Sequence, residues 1–159
     1  MTIRAKLYAA IVLTIIGPLA TTAVALHGMS EMGDKFDQVQ ERGQQEAVAR
    51  ELKFQVTDMN GWQTAYGYAD GGFRGRFVAS AADLRHELGI AGDQLTDQRE
   101  GELLGDLNGE FDAFVQLDEV AWQALQSGHP EETKRILLGP ELRRFEAMAA
   151  TAEELAGYE

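Results

Sequence analysis

Six residues in this chain have the types and spacing to recognise a small molecule: Trp62, Tyr66, Arg74, Arg76, Asp118 and Trp122. Asp118 most needs explaining. Leu104, Leu107, Phe111, Phe114, Ala121 and Leu125 recur around it in steps of three and four, which places a carboxylate on the apolar face of a helix. A buried carboxylate is costly unless it is paired or hydrogen-bonded. Two arrangements satisfy it. One is an internal partner such as Tyr66, Trp62 or an arginine. The other is a ligand carrying an amine or a hydroxyl. Trp62, Tyr66 and Trp122 equally suit a helical core, and Arg74 and Arg76, just past a turn, read on their own as solvent-exposed.

Catalytic chemistry finds little to work with. His27, His86 and His129 fall in separate segments and do not converge. Asp83, His86 and Glu87 share a helical face, but a solvated charged face accounts for them as well as a weak metal site does. Asp58-Met59-Asn60-Gly61 imitates the start of a calcium loop, yet it lacks the downstream glutamate and sits mid-helix. There is no Gly-rich phosphate loop after a strand and no nucleophile beside a base. The chain has no cysteine, so disulfides and thiolate sites are excluded. The reading is therefore of a protein that is not an enzyme, with no cofactor and no bound metal.

The elements that position these residues begin with Leu7 to Leu26, twenty residues without a charge. As a helix this run spans ~30 Å, enough to cross a bilayer. Arg4 and Lys6 precede it, so residues 1–6 form a cytoplasmic tail and everything after Leu26 lies outside. A cleaved signal peptide ending near Ala23-Val24-Ala25 is the competing reading, but the apolar run is longer than the usual ~7–15 residues. The chain has a formal net charge of −12, with Arg4 and Lys6 the only charges before Glu31. The exported part thus carries −14, twelve basic residues against twenty-six acidic. Such a surface disfavours nucleic acid and anionic lipid as partners.

Beyond Leu26 the periodicity is helical throughout and no strand is expected. The first helix, about residues 27–69, carries the seam Met29, Met32, Phe36, Val39, Leu52, Val56, Met59, Trp62, Tyr66 and Ala69. Asp70-Gly71-Gly72 ends it. The second, 73–94, carries Phe73, Phe77, Ala81, Leu84, Leu88, Ala91 and then Leu95. Thr96-Asp97, with Glu100 in the first turn, starts the third, 97–127. Pro130 starts the fourth, 130–159, whose seam is Leu138, Leu142, Phe145, Ala149, Ala152 and Ala156. Gly139-Pro140 should kink it. The expected fold is all-α: a transmembrane helix at 7–26 continuous with an antiparallel up-down-up-down four-helix bundle over 27–159. The first helix outruns the others, and its apolar residues from Met29 to Val39 need a cover. Two covers are expected: a second copy, giving a homodimer through the first helix, and a fourth helix that continues past Glu159 back to the membrane.

Glu51-Leu52-Lys53-Phe54 with Asp58-Met59-Asn60-Gly61-Trp62-Gln63-Thr64-Ala65-Tyr66 resembles the first-helix signature of the sensor half of bacterial methyl-accepting chemotaxis proteins with a four-helix-bundle ligand-binding domain. Phe111-Asp112-Ala113-Phe114, Asp118-Glu119 and Leu138-Gly139-Pro140-Glu141 are similar to the same group. The resemblance implies a single-pass membrane input module whose distal end senses a small molecule. It also implies that a second membrane helix, a HAMP linker and a kinase-contacting coiled coil follow in the whole receptor. This chain then reads as the input half, with the output half absent. Other outputs, a sensor kinase or a cyclase, fit the same bundle, and a membrane-tethered or secreted helical scaffold is the alternative. In enteric aspartate receptors, distal arginines hold the ligand carboxylate. Arg74 and Arg76 lie beyond the turn, so that site is not carried over.

Overall fold

In a computed structural model, the backbone is described for residues 3–69 and 71–157 and the side chains for residues 29, 32, 33, 35–37, 39, 40, 42–69 and 71–157. Every element among them is helical: α1 (Ile3–Tyr68), α2 (Arg74–Gln94), α3 (Gln98–Gln126), α4 (Pro130–Ile136), a π-helical turn (Leu137–Glu141) and α5 (Leu142–Ala156). The chain divides into two units, Met1–Gly43 and Gln44–Glu159. The side chains of the apolar run at 7–26 lie outside the described residues. Among those described, no helix is long and apolar enough to cross a membrane. In the first unit, Met29, Met32, Phe36 and Val39 are exposed.

The second unit is a helical bundle. Local signals set its ends. Gly71 turns the chain at φ +89°, and its N–H donates to the Tyr66 carbonyl at 2.9 Å. A side chain here would meet both the unfavourable backbone conformation and the Trp122 ring, 2.8 Å from where a Cβ would stand. α3 opens on a capping box: Asp97 accepts from the Arg99 N–H at 2.8 Å, and Glu100 accepts from the Asp97 N–H. That reciprocal pair satisfies N–H groups the helix leaves open. Gly128, at φ +78°, makes the turn into α4, and Pro130 takes its first position.

Contacts run in opposing order along each neighbouring pair of helices. Asp58 of α1 accepts from Ser80 of α2 at 2.6 Å, while Trp62 stacks against Phe73. Arg85 of α2 meets Asp112 of α3, and Phe77 meets Phe114. Arg144 of α5 reaches Glu110 of α3, and Arg99 reaches Glu154. Lys53 of α1 pairs with Glu153 of α5, while Gly67 lies against Leu137. Leu52, Val56, Met59 and Tyr66 face inward with Phe77, Leu84, Leu88, Leu107, Phe111, Phe114, Met148 and Leu155. These are core-facing positions of four helices, α1, α2, α3 and α5, and interlocking them excludes water from one continuous core.

The fourth helical segment departs from the seam its sequence suggests. Leu138 is 63 % exposed and Leu142 is also exposed, whereas Ile136, Glu141, Met148 and Leu155 are buried; of the expected seam, Ala152 is buried and Phe145, Ala149 and Ala156 pack against the core. The cause is Pro140. It has no N–H to donate and its ring crowds the preceding turn, and the helix widens into a π turn around it. That wider turn adds a residue to the winding and rotates everything nearby out of the simple phase. Phe73 and Ala69, both assigned to seams from sequence, are exposed as well, because each stands where its helix gives way to the Gly71 turn.

The observed phase has a direct consequence for stability. Met148→Ala should cost about 2–5 kcal/mol and Leu138→Ala no more than ~0.5 kcal/mol in denaturant unfolding. The reverse order would restore the phase read from sequence.

Candidate functional site: a buried polar cluster

Asp118 lies on the inward face of α3 and is 1 % exposed. Its two oxygens are used separately. The Tyr66 hydroxyl of α1 donates to Oδ1, and the Arg74 guanidinium of α2 donates to Oδ2. The partners are internal, and they come from two other helices. Arg74 is not solvent-exposed as its sequence position suggests: its side chain is 16 % exposed. Its guanidinium carbon lies 5.0 Å from the ring centroid of Tyr66, 4.8 Å from Phe77 and 5.1 Å from Trp122. Three aromatic faces and a carboxylate thus enclose one cation, an arrangement in which both cation–π attraction and the ion pair gain from desolvation. Glu119 adds a looser contact at 3.6 Å.

Position along the chain explains this enclosure. Arg74 is the first residue of α2, directly after the Gly71 turn, so its long side chain can fold back into the bundle end instead of pointing away. Tyr66 packs edge-on to Trp122 at 5.9 Å and tilted to Phe77 at 5.6 Å, which fixes its hydroxyl over Asp118. Of the other residues proposed from sequence, Trp62 and Arg76 stand apart from the cluster. Arg76 is exposed and stacks on Trp62 at 5.5 Å. The structure therefore brings together Tyr66, Arg74, Asp118 and Trp122 and leaves Trp62 and Arg76 as a separate outer pair.

Two residues that sequence reasoning missed complete the cluster. Glu141 is 0 % exposed and Gln63 is 4 % exposed. Gln63 Nε2 and both carboxylate oxygens of Glu141 are the only buried side-chain polar atoms among the described residues that lack a hydrogen-bond partner. The Gln63 amide is near enough to favour the Glu141 carboxylate without reaching hydrogen-bonding geometry. Both residues stand one position from the feature that drew attention, Gln63 beside Trp62 and Glu141 beside Pro140. Only the π turn brings Glu141 inward. Thr133 of α4 is also buried, its hydroxyl shared between the carbonyls of Ala121 and His129 at 3.2 Å each.

Burial dominates the electrostatics. It raises the Asp118 carboxyl above its ordinary range, against the hydrogen bonds of Arg74 and Tyr66 that pull it down. Burial also raises the Tyr66 phenol far above its usual value, with the Asp118 carboxylate adding to it. Glu141 is pushed from 4.5 up to about 8, by desolvation first and by the Asp118 carboxylate second. A value of about 8 favours the protonated form of Glu141 at neutral pH, next to the Asp118–Arg74 ion pair.

Chemically, the cluster binds and orients charge. No group of three His, Cys, Asp or Glu able to hold a metal occurs among the described residues. Asp83, His86 and Glu87 are among the residues so searched, and Asp58 is occupied by Ser80. No family model, curated protein or solved structure matches this chain.

The Asp118–Arg74 pair can be separated from simple packing. Arg74→Met leaves a buried carboxylate without its cation and should cost about 3–5 kcal/mol. Adding Asp118→Asn, which removes the charge and still accepts from Tyr66, should return most of that loss. Equal unfolding free energies for the single and double variants would show that Arg74 contributes by its contacts with the rings and not by its charge.

Proposed function

We propose that this chain is the extracytoplasmic input module of a membrane chemoreceptor, which converts a chemical stimulus into a small helix displacement passed across the membrane. In this reading Leu7 to Leu26 is the membrane anchor, residues 1–6 are cytoplasmic, and the bundle lies outside. Two copies pair through the first helix and cover Met29, Met32, Phe36 and Val39. The output half, which contacts the kinase, belongs to the remainder of the receptor.

One observation carries this reading most: the polar cluster draws a residue from α1, α2, α3 and the π turn. Any stimulus that changes the balance of charge at that point acts on α1, α2, α3 and the π turn at once. A ligand shifts a conformational equilibrium only by its unequal affinity for the two states. Buried, coupled charges make two packings differ sharply in such affinity. Packed helices respond by sliding ~1–2 Å, and continuous helices carry such a displacement along their length. The chain's formal net charge of −12 fits a solvated input module better than a binder of nucleic acid or anionic lipid.

The test is a chimera. Fused after Glu159 to the second membrane helix and kinase-controlling half of a chemoreceptor, the full chain should insert, remain in membranes after alkaline carbonate washing, and set a defined kinase output. Asp118→Asn and Tyr66→Phe should each reset that output at equal receptor amounts. Release by carbonate, or one unchanged output across all three proteins, would contradict the proposal.

A further inference from the structure

The buried cluster holds two carboxyl groups, Asp118 and Glu141, and a single guanidinium, Arg74. Asp118 is matched by Arg74 and Tyr66. Among the described residues, Glu141 has no hydrogen-bond partner, and the one other unpartnered buried side-chain atom, Gln63 Nε2, belongs to the amide beside it. A neutral carboxyl and a primary carboxamide are complementary. The acid O–H donates to the amide oxygen while the amide N–H donates to the acid's carbonyl oxygen. That two-bond ring satisfies Gln63 Nε2 and both oxygens of Glu141 together. A carboxylate has no proton to donate and can form only one of the two bonds.

We propose that the stimulus read by this bundle is the proton itself, bound at Glu141 in a carboxyl–carboxamide pair with Gln63 that ties the π turn to α1. The proposal rests on the input-module reading and names what the input is. The groups facing Glu141 are Tyr66 and Gln63 from α1, Arg74 from α2, and Asp118 with Glu119 beside it from α3. With the proton on, the cluster is electrically balanced. When the proton leaves to water, a second buried negative charge stands near Asp118 with only Arg74 to serve both. Two like charges in a low-dielectric interior are costly. The relief available is rotation of the π turn, which carries Glu141 toward solvent. Because Leu137 of that turn sits against Gly67 of α1, the rotation moves the fourth segment against the first.

The direction of the effect on stability follows from linkage. Glu141 binds its proton more tightly in the folded chain, about 8 against 4.5. Its contribution is complete below ~4.5 and is lost as pH rises toward about 8, with the folding constant falling up to about tenfold per pH unit across that window.

The absence of cysteine permits clean site-directed labelling. Spin labels at Thr64→Cys on α1 and Leu138→Cys on the π turn, both exposed, report their separation in the full chain reconstituted in nanodiscs. Between about pH 6 and about pH 10, the distance distribution should move by ~1–2 Å with a midpoint near 8. Glu141→Gln, which mimics the protonated acid, should hold the low-pH distribution throughout. Should that variant lack helical circular dichroism, Glu141→Met serves in its place, since it too cannot ionise. A distribution that does not respond to pH, or the same response in the non-ionisable variant, overturns the proposal. The chimeric receptor separates this failure from that of the input reading. Output that responds to Asp118→Asn but not to pH removes the proton and leaves the input module standing, whereas output that responds to neither removes both.

Discussion

The constraint on which this bundle depends is that Asp118, a carboxylate on the apolar face of α3, must find partners without water. It finds them in Tyr66 and Arg74, and both are delivered by their place in the chain. Tyr66 occupies a core position in the last turn of α1, just before the Gly71 turn. Arg74 is the first residue beyond the turn. The turn's geometry is in its own way required: Gly71 adopts a positive φ and gives the Trp122 ring the room a side chain would take. Trp122 in turn forms one wall around Arg74. Carboxylate, cation, rings and turn are thus one structure, and removing any member exposes a desolvated charge.

Glu141 adds a second carboxyl to that closed arrangement, and the π turn is what admits it. In an α-helix kept in simple phase from Leu138 to Ala152, Leu138 and Leu142 would face the core. With Pro140 inside the segment the backbone widens, those leucines turn outward, and Glu141 turns in. Single-turn π bulges of this kind recur at functional sites. Here the bulge trades apolar burial for a titratable group held among Gln63, Asp118 and Arg74. A protein seeking stability alone would do better with a leucine at that position. A bundle that must change its packing in response to a chemical signal gains from such a group, because its two charge states favour different packings.

Much of the bundle was legible in the sequence, for identifiable reasons. The strict three-four spacing around Phe111 and Phe114 needs no tertiary information, and neither does the Asp97–Glu100 start of α3. Asp118 was conspicuous because it interrupts that spacing, and its conflict with the pattern is what led to Tyr66. The burial of Arg74 was not legible, since an arginine at a helix start is ordinarily solvated and only the neighbouring rings make it otherwise. Gln63 and Glu141 were not legible either. Periodicity assumes a constant winding, and Pro140 changes the winding by an amount that sequence does not specify. Trp62 and Arg76, residue types equally suited to a site, pair with each other outside the cluster, and spacing alone does not separate them from its members.

The account is tested most directly by carbon-13 titration of the glutamate and aspartate side-chain carboxyls in the full chain. It predicts that Glu141 remains protonated at neutral pH and titrates at about 8. A Glu141 carboxyl that ionises in the ordinary carboxylate range near 4.5 would contradict it, since the cluster would then carry a second unmatched charge at every physiological pH.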